Sequence, residues 1–246
     1  MVDNIPAAAA PVPDGADAVT ANPLRALTNI AHRQTRPTTA HDFVRETLRR
    51  GILAGMLPAG FQLGQSQIAE MLGVSTTPVR EALRDLSAEG LIDFDAYRTA
   101  SVHRPTRDEL HEVYDLRRLL ESHAMSKVAA IVDEERLARA ERLQDRMDAE
   151  HDPAEWLILN AEFHAVLTGA CNSPKLESFL DNLRASVALY VGLAIRRNPG
   201  RREESNAEHR EILAACRDRD VDRAVEVTQI HMDPAREVAE TALTTP

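Results

Sequence analysis

The chain has 246 residues, 43% of them hydrophobic, 28% charged and 4% aromatic, an ordinary composition for one large or two modest globular domains. No apolar run approaches the roughly 20 residues that span a bilayer. No basic stretch and apolar core open the chain as a secretory leader would, and two cysteines, Cys171 and Cys216, make no disulfide framework, so a reducing cytoplasm is expected. The net charge of −10 excludes a bulk basic field of the kind that supplies non-specific affinity for nucleic acid.

Residues 1–38 hold five of the thirteen prolines and no sustained apolar periodicity, and read as a disordered arm carrying Arg25, Arg33 and Arg36. From Thr39 the texture changes. Val44, Leu48 and Ile52 recur at i, i+4, i+8, which predicts a helix over 41–54 that Gly55 stops. Six of the ten glycines fall between 51 and 90, the mark of tight turns. A short helix over 65–72 ends at Gly73, and Ser75 is placed to cap a second one running to Glu89. Pro78 sits in its first turn, where a missing N–H costs little. Two short helices joined by Gly73-Val74-Ser75 form a helix-turn-helix. The alternation in 91–94 and 100–102 makes the hairpin after it a wing. Residues 39–103, with six arginines, no lysine and eight acidic residues, carry no excess of positive charge. Any duplex DNA must therefore be held by a few placed arginines and helix N-termini.

Beyond Pro105 the pattern is helical throughout. Thr106 and Glu109 form a capping box for a helix to about residue 130. Asp133 opens a helix to about 150, Asp152-Pro153 one to about 171, and Ser173-Pro174 one to about 197. Two more run over 205–217 and from 220 to about 241, with Pro234 expected to kink the last and open the cavity behind it. The fold class is mainly α: a disordered arm (1–38), a winged helix-turn-helix (39–103) and a six-helix antiparallel bundle (104–246).

On the second short helix Val79, Ala82, Leu83 and Leu86 face inward while Thr76, Thr77, Arg80 and Arg84 face out. Such a helix enters the major groove by its N-terminal end. Arg80 suits bidentate hydrogen bonds to guanine, Ser75, Thr76 and Thr77 bring hydroxyls, and the free N–H groups of the helix start suit a phosphate. Arg98 on the wing faces the backbone or minor groove. On helix spacing alone, pairing of these arginines with Glu81 and Asp85 on a solvated face is an equal alternative. The stretch Leu72-Gly73-Val74-Ser75-Thr76-Thr77-Pro78-Val79-Arg80-Glu81-Ala82-Leu83, with Leu86 and Glu89-Gly90-Leu91, resembles the GntR family of bacterial winged-helix regulators. Ile52-Leu53-Ala54-Gly55-Met56-Leu57-Pro58-Ala59-Gly60 resembles that family's first helix and turn. The resemblance puts Arg80 first among DNA contacts, Thr77 and Ser75 next, and Arg84, Arg98 and Arg49 after them. Two departures from the family pattern stand out: Thr76 where Arg is usual, and Thr99 after Arg98 where the wing tip usually has Gly.

In the second half, polar residues interrupt apolar stripes: Asn160 and His164 beside Trp156, Phe163 and Leu167; His209 beside Ile212, Leu213 and Cys216; and His231 beside Ala224, Thr228 and Ala235. Three imidazoles and an amide oxygen facing one cavity would make a ligand set for zinc, nickel or manganese; unrelated core histidines are the plainer alternative. The C-terminal half resembles the FCD ligand-binding domain of the FadR subfamily. Asn160-Ala161-Glu162-Phe163-His164, Glu208-His209 and His231 follow the motif order of its metal-binding members, with Asn160 in place of Asp. That resemblance implies a divalent transition metal. Glu162 and Glu208 are expected to turn away by helical phase, and His32, His41, His103, His111, His123 and His151 are left as surface or core residues. Arg117 is a cation on the apolar stripe of Leu110, Val113, Tyr114, Leu120 and Ala124. It is either the partner of Glu121 or, by analogy with the family, an anchor for the carboxylate of a small organic acid, with Tyr114 beside it. Arg118 points outward. No His-Glu-x-x-His helix, nucleophile elbow or carboxylate pair supports a metal enzyme. The resemblance implies a homodimer on a palindromic operator, with a metal-free sensor of a larger acyl-type ligand as the alternative.

Overall fold

The computed structural model describes residues 23–24, 27–28, 30–31 and 39–244. Helix α1 is Ala40–Leu53, α2 Gln65–Leu72 and α3 Thr76–Ala88; strands β1 (Ile92–Phe94) and β2 (Ala100–Val102) follow. Then come α4 (Arg107–Ile131), α5 (Glu134–Ala149), α6 (Pro153–Thr168), α7 (Pro174–Arg197), α8 (Arg201–Arg217) and α9 (Val221–Thr244). The chain is therefore a winged helix-turn-helix followed by a helical bundle. No helix of the described residues is long and apolar enough to cross a membrane.

The helix starts follow the side chains that can accept a free N–H. Thr39 Oγ1 accepts from Asp42 N, Thr106 Oγ1 from Glu109 N, Asp133 from Arg136 N and Asp152 from Ala154 N. Gly73 ends α2 in the left-handed region, φ 66°, with Val74 N donating to Ala69 O. A Cβ there would touch nothing, so the backbone angle alone calls for glycine. The wing is a two-stranded antiparallel hairpin with Ile92 opposite Val102 and Phe94 opposite Ala100.

Three boundaries differ from expectation. Helix α8 begins at Arg201, four residues early, because Arg201 is buried and bonds Glu204 and Glu208 along its own helix. Helix α6 ends at Thr168 and closes in a 3₁₀ turn over Gly169–Cys171. Helix α9 continues past the expected end near 241 to Thr244, with Pro234 inside it, since one missing N–H removes a single ladder bond and leaves the turns on either side intact.

The arm is also not wholly free. Most of it, with Arg25, Arg33, Arg36 and His32, lies outside the described residues, but Leu24 and Leu27 are fully buried in the core that includes Leu48, Ile52 and Leu57. A Cβ at Gly51 would lie 2.6 Å from Leu27 Cδ2 and 3.3 Å from Leu57 Cδ1, so a glycine inside the last turn of α1 makes the seat for Leu27. Two apolar residues three apart need no longer periodicity to dock, and none was there to be seen. Leu27→Ala is expected to destabilise the N-terminal domain by about 2–4 kcal/mol in urea unfolding; unchanged stability would mean that the arm does not dock in solution.

Candidate functional site

Two groups of side chains stand out, one on the surface of the N-terminal domain and one inside the bundle. On α3, Val79, Ala82, Leu83 and Leu86 are fully buried, which turns Thr76, Thr77, Arg80 and Arg84 to solvent. Ser75 has extended backbone, as a cap must, but its side chain makes no capping bond. Its hydroxyl is thus left for another partner, and so are the first-turn N–H groups it would otherwise satisfy. Arg80, Arg84 and Arg98, with Gln65 and Phe94, line one groove of about 330 Å³. Among the described residues none of the three arginines makes an ion pair, and Asp85, the suspected partner, is bonded instead to His41 at 2.9 Å.

The wing tip is built around Asp95. Its Oδ1 accepts from Tyr97 N at 2.9 Å and Thr99 N at 2.8 Å, and its carbonyl accepts from Arg98 N. This ring of bonds holds Arg98 at φ 62°, a conformation costing a non-glycine residue about 1–2 kcal/mol. The left-handed position is Arg98 itself, so Thr99 takes the place of the family's usual glycine without strain. Arg49 does not join this group. It lies 3.3 Å from Glu89 and lines a cleft of about 440 Å³ with Glu46, Glu162 and Arg184, because its position on α1 faces the bundle rather than α3's outer side.

Inside the bundle His164 (α6), His209 (α8) and His231 (α9) are all buried, and one ring nitrogen of each lies within 4.8 Å of the others. Ring centroids are 4.7–5.2 Å apart, and Phe163 packs on His209 at 4.5 Å. His209 Nδ1 faces Gln144 Oε1 at 2.9 Å and His231 Nδ1 faces Glu208 Oε2 at 2.7 Å. Each Nδ1 therefore carries the proton, leaving Nε2 with a lone pair. His209 Nε2, His164 Nε2 and Asn160 Oδ1 are buried with no hydrogen-bond partner. Unbonded lone pairs in an apolar interior are costly. A cation that accepts them resolves the cost, and this donor set fits a divalent transition metal.

Electrostatics keep the site ready for that. Burial, then the neighbouring imidazoles, push His164 well below the ordinary histidine value. Burial, then His231 and Arg117, do the same to His209. Burial also lowers His231, though the bond to Glu208 opposes it. All three are neutral and able to ligate. Burial would raise Glu208, but the bonds from His231 and Arg201 hold it below the usual carboxylate range.

Helical phase was therefore wrong for Glu208. It turns away from its own helix's inward stripe but meets His231 of the adjoining α9, whereas Glu162 lines the outer cleft as expected. Gln144 and Arg201 were also missed. Gln144 had a signal, since Leu137, Ala140, Gln144 and Met147 form one buried stripe on α5 with one polar member. Arg117 forms the pair with Glu121, Nε to Oε1 at 2.7 Å, both side chains nearly inaccessible, and stacks over the Tyr114 ring at 5.6 Å. Burial opposes its charge, and Glu121 and Tyr114 outweigh it. Tyr114 Oη and Glu121 Oε2 remain buried and unbonded. Arg118 is exposed, bonded to Asp233.

Known proteins resemble the chain along most of its length. The model described as "Bacterial regulatory proteins, gntR family" matches residues 40–96, and that described as "FCD domain" matches residues 112–234, half of the chain. An uncharacterized HTH-type transcriptional regulator of Bacillus subtilis (strain 168), YdhC, is 26% identical over 80% of this chain and 90% of its own. The gluconate operon transcriptional repressor of the same organism is 27% identical over 61% of this chain and 62% of its own. Among solved structures E. coli McbR/YncC superposes with a TM-score of 0.69 at 21% identity, covering 83% of this chain and 99% of that one, a likeness of fold.

Glu208→Gln, which keeps the shape but loses the charge behind His231, is expected to weaken zinc about 10–100-fold in competition with a chromophoric chelator. Equal affinity would detach Glu208 from the site.

Proposed function

Because this chain belongs to the GntR family and carries its FCD domain, it is a transcriptional regulator and not an enzyme, and we propose that it binds a palindromic operator as a homodimer in the cytoplasm. Its DNA affinity is set by a small organic acid held in the helical bundle together with a divalent transition metal. The observation that carries this reading is the convergence of three neutral, buried imidazoles, with His164 Nε2, His209 Nε2 and Asn160 Oδ1 buried and without a protein partner. Asn160, His164, His209 and His231 hold the metal; a bound divalent ion supplies positive charge and open positions for a carboxylate oxygen. Asn160 contributes a carbonyl oxygen without charge, and Glu208, bonded to His231, is a carboxylate placed to offset the ion. Arg117, with Tyr114, orients the acid from the α4 side. The family relative named for the gluconate operon regulates genes for a sugar acid, in keeping with that effector class.

On the DNA side Arg80 reads a base edge, Ser75, Thr76 and Thr77 serve the helix start, Arg84 lies one turn further on and Arg98 approaches from the wing. Arg49, turned to the inter-domain cleft, acts on the placement of α1 and not on DNA. Two side-chain hydrogen bonds join the bundle to that helix. Arg50 Nη1 on α1 bonds Glu155 on α6 at 2.5 Å, and Arg196 on α7 donates to Leu53 O at 2.7 Å. Helix α6 also carries Asn160 and His164. A shift of α6 when the cavity fills is thus transmitted to α1, and through α1 to α3, which packs on it. By linkage, operator binding changes effector affinity by the same factor.

Two measurements test this. Protein purified without tag or chelator should hold about one transition metal per chain by elemental analysis, and a His209→Ala His231→Ala variant none; a metal-free wild type after incubation with zinc, nickel and manganese would overturn the metal. Arg80→Ala should remove preference for a selected operator while metal content stays unchanged. Retained selectivity would overturn its assignment.

A further inference from the structure

His103 lies at the seam between the two domains, just after β2 and before α4. Its Nδ1 is 2.9 and 3.0 Å from the two oxygens of Asp93 on β1, and its Nε2 is 2.8 Å from Glu109 Oε2 in the first turn of α4. A neutral imidazole has one N–H and one lone pair, so it would hold one carboxylate and repel the other. Two carboxylates on opposite ring nitrogens are accommodated only by the imidazolium. Both are fixed from behind. Asp93 is in the hairpin, opposite Ser101, and Glu109 donates its N–H to Thr106 Oγ1. His103 N in turn donates to Leu91 O.

We propose that His103 is a positioning residue for DNA reading: as an imidazolium it pins the wing, and with it Arg98, to the first helix of the effector domain. The pin is a separate tie between the two domains from the Arg50–Glu155 contact. Glu109 also faces the buried hydroxyl of Tyr190 of α7, with Tyr114 nearby.

The charge environment gives the pin a pH dependence. Besides Asp93 on β1 and Glu109 on α4, Arg196 of α7 lines the cleft beneath the ring, and Arg104 turns away to pack over Gly60. Burial would lower the His103 pKa, but the bonds to Asp93 and Glu109 outweigh it and the pKa is raised. A raised folded value means the pin contributes fully below the unfolded value of about 6.5 and is lost as pH rises through the folded one.

The test rests on the reading of Arg98 as a DNA contact, and it separates the two. Affinity is measured by fluorescence anisotropy on the duplex that the wild-type chain selects from a random pool. His103→Gln should bind about fivefold more weakly than wild type near pH 6 and equally near pH 9, where wild type has also released the pin; that agreement shows the variant to be folded. His103→Lys, charged at both values, should bind more tightly than wild type near pH 9. Arg98→Ala should cost less near pH 6 in the His103→Gln background than in wild type. A His103→Gln deficit that is the same at both pH values would make the residue mere packing and overturn the proposal. Additive effects of the two substitutions would overturn its action through the wing. An Arg98→Ala variant that binds like wild type would instead remove the wing contact itself, and the pin's role in DNA reading with it.

Discussion

The bundle depends on a constraint that applies to every protein interior: a polar atom removed from water must find a partner. Trp156, Phe163 and the surrounding aliphatic side chains exclude solvent from His164, His209 and His231. Two of the rings then meet the constraint on one edge only, through Gln144 and Glu208. The other edges turn inward together. At His164, whose Nε2 has no protein partner, stability does not account for an imidazole in place of an apolar side chain. The same interior keeps the cations paired: Arg117 has Glu121, and Arg201 has Glu204 and Glu208.

Helix α6 connects this interior to the rest of the molecule because it is apolar nearly all round. It is buried on nearly every side, ten of its sixteen residues being inaccessible. One face meets the histidine site, and Glu155 at its start meets α1. A helix packed on every face but the one that lines the outer cleft cannot shift without moving a neighbour, which is the property a coupling element requires. The wing has a separate attachment at His103, so the N-terminal domain is held near the start of α4 as well as through α1.

Much of this was legible in the sequence because it is local. Caps at Thr106, Asp133 and Asp152 are read from residues three or fewer apart, and the faces of α3, α4 and α6 follow from a 3.6-residue period. The buried histidines were legible as polar interruptions of that period. What escaped is non-local. Gln144 meets His209 across 65 positions and Glu208 meets His231 across 23, and the phase of one helix says nothing about which neighbour crosses it. His103 escaped for the same reason: its partners lie on two elements, and only the fold makes them face opposite edges of one ring. Arg49 was misplaced because the face of α1 that looks free in a single domain is covered once the second domain packs there.

The groove of three unpaired arginines has a consequence beyond recognition. It is set in a chain of net charge −10, so attraction to DNA is confined to a few ångströms around the reading surface, while the rest of the molecule is repelled. Few phosphates are neutralised, and few counterions are released on contact with random sequence. On the DNA-binding role proposed for these arginines, such a protein is expected to slide little and to find its site mostly by repeated collision from solution. Occupancy of the operator then follows the free concentration of the regulator, with little of it held in reserve on the chromosome, and a change in its abundance or affinity reaches the promoter without a buffer of non-specifically bound copies.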